Sequence, residues 1–426
     1  MPIIDKVFRD PVHNYIHIED KTIYDLINTK EFQRLRRIKQ LGTSSFVFHG
    51  AEHSRFTHCL GVYNIAKIIT DNFSARYTKT WNPNENLVTQ CAALLHDVGH
   101  GAYSHSFEHL FDTDHEAVTV AIITSPETEI NAVLRKVSPD FPEKVASVIT
   151  HEYSNPQVVQ LISSQIDADR MDYLLRDAYY TGAGYGQFDL TRILHSITPL
   201  PHGIGFNFKS MHAVEDYVLS RYQMYQQVYF HPASRGTEVL LQNLLKRAKV
   251  LFAENSEYFY LSSPRLLPFF EGNFNLTDYL ALDDGVMNTY FQAWTNHNDP
   301  ILSDLASSYL SRRLPKSIKF DPNDKGQLRF LEQLISDAGY DIDYYTAINN
   351  SFDLPYDFYR PSSKSPRTQI EIIQKDLSLT ELSKLSTIVA SLAGTNHGNS
   401  RFYFPKPMLE NDEFRKYIKN DEFTPF

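Results

Sequence analysis

The chain reads as a mostly α protein with small β-hairpin additions and a C-terminal α+β lobe, on three observations. Apolar residues recur at helical spacing over long stretches, notably 55–76, 85–95, 166–180 and 237–253. Short segments at 7–18 and 204–208 carry Pro, Asn or Gly at or beside their turns and fit hairpins or short strands. Eight of the 17 His fall between His49 and His115, where an even spread would put about three. Polar chemistry is therefore concentrated where the first long helices lie.

In chain order, 7–18 (VFRDPVHNYIHI) forms a hairpin around Pro11 and Asn14. The spacing of Phe32, Leu35 and Ile38 predicts a helix over 31–40, with Arg34, Arg36, Arg37 and Lys39 on its opposite, solvated face. A loop over 42–50 leads to the helix at 55–76, where His58, Val62, Ile65 and Ile69 share one inward stripe. Asn82, Pro83 and Glu85 have the form of a helix start. That helix turns Leu87, Val88, Cys91, Leu94 and Leu95 inward and ends at His96 and Asp97, because Gly99 and Gly101 stop it. Shorter helices follow over 117–161. On the helix at 166–180, Asp169, Tyr173 and Asp177 recur at i, i+4 and i+8 and share a face. The same spacing relates Arg221, Tyr225 and Tyr229 on a Tyr-rich helix at 214–228. Without further information that stripe reads as aromatic core.

Beyond about residue 262 the texture changes, with Pro264, Pro268 and Gly272 marking a boundary. This divides the chain into a core (1–260) and a lobe for assembly or regulation (261–426). The lobe carries candidate strands at 368–372 and 401–404 and an exposed loop at 362–367.

The net charge of −10 argues against a general nucleic-acid or anionic-membrane binder. The N-terminus lacks the pattern of a signal peptide, and no apolar run approaches a membrane span. Cys59 and Cys91 are the only cysteines, so there is no disulfide framework and a cytoplasmic location is expected.

A metal centre needs several ligands. His58 faces inward, His96 and Asp97 end the next helix, and Asp169 lies on a third. Two imidazoles and two carboxylates suit a divalent transition ion (Mn, Fe, Zn or Ni) with positions left for water and substrate. Buried His and helix-face Asp serve equally well as hydrogen-bonded structure, so on these residues alone both readings stand.

Four ordered motifs narrow the choice. They are Gln40-Leu41-Gly42; His53-Ser54-Arg55-Phe56-Thr57-His58; the run from His96-Asp97 through Gly99-His100-Gly101 to Ser104-His105; and Asp167-Ala168-Asp169-Arg170-Met171-Asp172-Tyr173. Together they resemble the HD superfamily of metal-dependent phosphohydrolases. Within it they resemble the deoxynucleoside triphosphate triphosphohydrolases, both the bacterial dGTPase-like enzymes and the sterile-alpha-motif/HD dNTPase, here without the sterile-alpha-motif domain.

The resemblance implies a helical HD core that hydrolyses dNTPs at the α-phosphate to deoxynucleoside and triphosphate. It assigns His58, His96, Asp97 and Asp169 to the metal, and Arg55, His100, Arg170, Tyr173 and Arg221 to the phosphates, which also carry Mg²⁺. It places His105, Glu108 and His115 beside the α-phosphate as the catalytic group, and Gln40, Leu41, Asp177 and Tyr229 around the sugar. It further implies a homotetramer binding a regulatory nucleotide through Lys6, Val7, Asn28, Gln33 and Arg36, which gives the basic face at 31–40 a second reading. Three departures stand out: Arg170 replaces a usual Lys, Glu108 a usual Asp, and Asn28 the Asp that reads guanine, with one acceptor in place of two. The competing readings are another HD phosphohydrolase, such as a nucleotidase or phosphodiesterase, and a nucleotide sensor without turnover.

Overall fold

The computed structural model describes residues 5–321, 323–351, 369–392 and 399–418. The expected loop at 362–367 lies outside the described residues.

The chain opens with an antiparallel hairpin, Lys6–Asp10 against Asn14–Ile18. Asp10 Oδ1 accepts from the amides of Val12 and His13 across the turn, and Asn14 takes a positive φ of 62°. The predicted helix at 31–40 is shorter. It runs over Lys30–Arg34, tightens to a 3₁₀ turn at Leu35–Arg37, and gives way to extended backbone at Ile38. The cause is tertiary. Lys39 pairs with Ser54 in an isolated antiparallel bridge, Arg55 N donates to Ile38 O, and Gln40 N donates to His53 O. The basic face is not uniformly solvated either: Arg34 is buried and donates to Leu282 O and His100 O.

The Arg55–Arg76 helix is as expected and forms the centre of the core. It packs against Glu85–Leu95 and Ala168–Thr181. His58, Val62, Ile65 and Ile69 are all buried. The next helix begins at Glu85, not Pro83: Asn82 instead closes a turn, its side chain accepting from Asn84 N. It ends at Leu95 with His96 as the capping residue. Asp167 caps Ala168–Thr181 by accepting from Arg170 N. The Tyr-rich helix, Met211–Met224, opens into one wider π turn at Tyr225–Tyr229.

Three hydrophobic clusters build the molecule. The first gathers residues 16 to 228 and also takes in Ile370, Ile372, Leu382 and Val389. A four-stranded sheet explains that return: Gly203–Asn207 pairs antiparallel with Ile197–Leu200 and parallel with Glu371–Ile373, which pairs with Leu379–Glu381. The second cluster joins 102–111 to the inward face of Pro232–Glu254 and to helices out to Tyr309. The third packs a sheet of Lys316–Lys319, Asn399–Phe404 and Ala347–Ser351 against Lys325–Asp337. Packing thus crosses residue 260 in both directions. No helix among the described residues is long and apolar enough to cross a membrane.

Candidate metal and phosphate site

Three helices deliver one ligand atom each to a common point. Candidate atoms of His58, His96 and Asp169 lie within 4.8 Å of one another. His58 Nε2 is 3.0 Å from Asp169 Oδ1, and His96 Nε2 is 3.4 Å from the same oxygen. His96 Nδ1 donates to Ala93 O at 2.9 Å, which leaves Nε2 as the ligating nitrogen. That Nε2 is buried and makes no hydrogen bond among the described residues. Asp97 flanks the group, with Oδ1 3.4 Å from His96 Nε2 and Oδ2 3.9 Å from His58 Nε2, while Arg55 donates to Oδ2.

A divalent cation fits this donor set. The orphaned His96 nitrogen needs a partner, and the site is over-supplied with negative charge. Burial works against the His58 imidazolium, yet the Asp169 and Asp172 carboxylates outweigh it and raise its pKa to about 10. Asp169 is shifted the other way. Burial would raise its pKa, but the hydrogen bond from His58 and the nearby His96 imidazole bring it far below the usual carboxylate range. A cation at the common point would neutralise the same charge.

Behind the ligands lies a buried network to which the sequence reading gave no role. Asp172 Oδ2 accepts from His58 Nδ1 at 2.7 Å and from Arg176 Nε at 2.8 Å. Its Oδ1 accepts from His13 Nε2 at 2.6 Å and from Arg176 Nη2 at 2.9 Å. Arg176 Nη1 continues to Asp10 Oδ2 at 2.8 Å. A carboxylate behind a ligating imidazole fixes its tautomer and raises its basicity. Gly61 makes room for this: a Cβ there would sit 1.8 Å from Asp172 Oδ1. Asp172 stands inside a quoted motif. Asp10 and His13 lie some 160 residues away in a hairpin turn, and no spacing connects them to it.

The residues expected at the phosphates are each tied to neighbouring side chains. Arg55 also donates to Ser104 Oγ at 3.2 Å. Tyr103 and Ser104 take left-handed backbone, with φ of 53° and 27°, a strain of about 1 kcal/mol or more per residue. The loop is held by Asp284, which accepts from Tyr103 N, and by the Tyr103 hydroxyl on Asn288. Arg170 folds back onto Asp167 Oδ2 at 2.5 Å, and Arg221 donates to Gln165 Oε1 at 2.8 Å. Tyr173 and Tyr225 bring their hydroxyls to 3.4 Å. The Nε atoms of Arg55, Arg170 and Arg221 are buried without a hydrogen bond among the described residues.

Beyond His100 the rings of His100 and His115 stack at 3.9 Å, and His115 Nδ1 lies 3.0 Å from Glu108 Oε1. Burial works against the His115 imidazolium, but Glu108 raises its pKa. His100 is lowered to about 3 by burial and by Arg55, so it is neutral at ordinary pH. The His105 side chain lies outside the described residues.

At the far end, Asp177 is buried, with Oδ1 2.7 Å from His53 Nε2, while Oδ2 accepts from the Tyr229 hydroxyl at 2.8 Å. Gln40 Oε1 is buried without a hydrogen bond among the described residues, and Leu41 is half-buried beside it in sequence. The five expected regulatory residues stand apart from the cleft. Lys6 and Val7 are exposed on the hairpin. Asn28 lines a shallow depression of about 410 Å³ with Tyr24, Thr29 and Lys136. Gln33 donates to Ile27 O, and Arg36 donates to Gln33 Oε1 with its guanidinium 3.6 Å over the Phe56 ring. A cavity of about 1250 Å³ is elsewhere again, between the Thr181–Tyr185 loop and Arg312–Ser317.

The HD domain family matches residues 55–177. Protein YwfO of Bacillus subtilis is 51% identical over 408 residues, covering 95% of this chain and 93% of its own length. The deoxynucleoside triphosphate triphosphohydrolase SAMHD1 of Gallus gallus is 29% identical over 286 residues, which is 58% of this chain and 46% of that protein. The chain thus spans about half of that relative. The crystal structure of a phosphohydrolase from Bacteroides thetaiotaomicron superposes with a TM-score of 0.81 at 28% identity, over 94% of this chain and 99% of that one.

Proposed function

Because the chain belongs to the HD-domain phosphohydrolase family, we propose that it hydrolyses deoxynucleoside triphosphates at the α-phosphorus, releasing deoxynucleoside and intact triphosphate. One observation carries the reading. Five of the side chains that the resemblance assigns to the metal, the phosphates and the sugar each keep a buried polar atom without a hydrogen bond among the described residues: His96 Nε2, the Nε atoms of Arg55, Arg170 and Arg221, and Gln40 Oε1. Native interiors hold few such atoms and each calls for a partner, which a bound metal and nucleotide would supply to these five. The similarity to SAMHD1 proteins supports the same substrate class.

In this mechanism His58, His96, Asp97 and Asp169 would hold a divalent transition ion, which would supply Lewis acidity for the activation of water. Arg55, Arg170 and Arg221 neutralise the triphosphate and the charge that develops as water attacks. Neutral His100 donates a hydrogen bond to a phosphoryl oxygen. The water oxygen bonds to Pα as the Pα–O5′ bond breaks; the water's proton is lost to solvent, and His115, its imidazolium favoured by Glu108, gives a proton to the departing O5′. His105 completes this group. Mg²⁺ accompanies the substrate phosphates.

A regulatory nucleotide bound through Lys6, Val7, Asn28, Gln33 and Arg36 in a homotetramer, assembled through the 261–426 lobe, completes the proposal, with a cytoplasmic location. The test is incubation with each dNTP in Mn²⁺ and Mg²⁺, with and without a second nucleotide, resolving all phosphorus products. Deoxynucleoside plus triphosphate, lost in Asp97→Ala, is the expected result. Monophosphate plus pyrophosphate would overturn the reaction, and no turnover with the metal bound would favour a sensor.

A further inference from the structure

We propose that His53, a histidine with no part in the chemistry above, is the positioning residue of the sugar subsite and sets its demand for a 3′-hydroxyl. This rests on the triphosphohydrolase reading and deepens it.

A 2′-deoxynucleoside esterified at O5′ has a single free hydroxyl on its sugar, at C3′. Any carboxylate or amide that reads the sugar by hydrogen bonding must therefore read that group. Asp177 and Gln40 are the polar side chains assigned there, and His53 touches both. Its Nε2 lies 2.7 Å from Asp177 Oδ1, and its carbonyl accepts from Gln40 N at 2.9 Å.

The local backbone explains how one residue reaches both. Residues 38–40 and 53–55 run antiparallel around the Lys39–Ser54 bridge. His53 precedes the bridge residue Ser54, Arg55 opens the helix that follows it, and both side chains are buried. Two residues apart in the chain, His53 reaches Asp177 and Arg55 reaches Asp97. Asp169 and Asp177 stand two helical turns apart on the facing helix, about 12 Å.

The imidazole is held for this task. Its ring stacks on Tyr180 at 4.5 Å with planes 14° apart, and its side chain is fully buried. Its other nitrogen, Nδ1, is buried with no hydrogen bond among the described residues. A histidine serving only the core would be cheaper as an apolar residue. What this pose secures is a donor on Asp177. With His53 on Oδ1 and the Tyr229 hydroxyl on Oδ2, both carboxylate oxygens are fixed, and the lone pairs left over define where a hydroxyl can donate.

The experiment compares kcat/KM for dNTPs with that for their 2′,3′-dideoxy counterparts, in wild type, His53→Phe and His53→Gln. Phe keeps the stack on Tyr180 and removes the donor; Gln keeps a donor. Thermal unfolding and metal content confirm that each variant is folded and loaded. The preference for the 3′-hydroxyl is expected to fall about 30-fold in His53→Phe, chiefly through KM, the scale of a hydrogen bond to a charged group, and to recover in large part in His53→Gln. Equal losses on both substrates, or an unchanged ratio, would overturn the role of His53 and leave the reaction intact. A wild type that turns over no dNTP would overturn the reaction itself. Equilibrium binding of the same nucleotide pairs then decides the role of His53, and an unchanged affinity ratio in His53→Phe overturns it.

Discussion

The metal-side cleft and the surface carrying Asn28, Gln33 and Arg36 are built from residues of similar polarity in opposite ways. In the cleft, His58, Asp172, Arg176 and Asp10 are all buried, and every oxygen of Asp172 is engaged. At the surface, Asn28 and Arg36 are exposed, and the partners of their hydrogen bonds come from the same short stretch of chain. Rigidity in the cleft comes from three long helices locked by charge. The surface has no such lock, so it is suited to respond to a ligand, whereas the cleft is suited to hold one in a fixed pose.

The comparison breaks most directly at Asp169. Asp169→Ala is expected to abolish metal retention and lower turnover by about 10³-fold or more, read by elemental analysis and initial rates. Asp172→Asn keeps the shape but weakens the hold on His58 Nδ1. Metal affinity should fall by about 10- to 100-fold, measured by competition with a chelator. Gly61→Ala tests the packing behind it: a Cβ driven into Asp172 should cost about 3 kcal/mol of stability, measured by denaturant unfolding of the metal-free protein. A cost under 1 kcal/mol would mean that the network yields easily.

A smaller effect concerns pH. The folded pKa of His115 is raised, so its protonated form is fully present below the ordinary imidazole value and is lost as pH rises through the folded one. Activity should therefore persist above the usual imidazole range and then decline. Glu108→Gln should move that descending limb to lower pH, because burial then acts without its counterweight. An unmoved limb would assign the proton to another group. The smallest expected effect is at the surface: Asn28→Ala should change stability by less than about 0.5 kcal/mol while altering the response to a second nucleotide. Lost stability there would show a structural residue.

The helices bearing the site were legible because their signals are local. The apolar stripe through His58 and the i, i+4, i+8 face of Asp169, Tyr173 and Asp177 each follow from residues a few positions apart, whereas the helix before His96 ends at Leu95 without a left-handed glycine, Gly99 serving instead as a close approach to Thr119. The helix at 31–40 was misjudged in length for the converse reason. Its pattern continues to Ile38, but the bridge from Lys39 to Ser54 takes the backbone out of the helix. The π turn at Tyr225–Tyr229 likewise leaves no mark in the spacing of its tyrosines.

By itself, then, the sequence determined a mostly α chain and the residue types gathered for metal and phosphate chemistry, since periodicity and clustering are properties of neighbours along the chain. Tertiary structure alone decided which carboxylate stands behind His58, that Asp10 and His13 reach Asp172 from the opening hairpin, and that Arg34 turns inward to His100. Those contacts join residues 66 to more than 150 positions apart. A buried charge accepts whichever partner the packed helices bring to it, and only the folded chain fixes that partner.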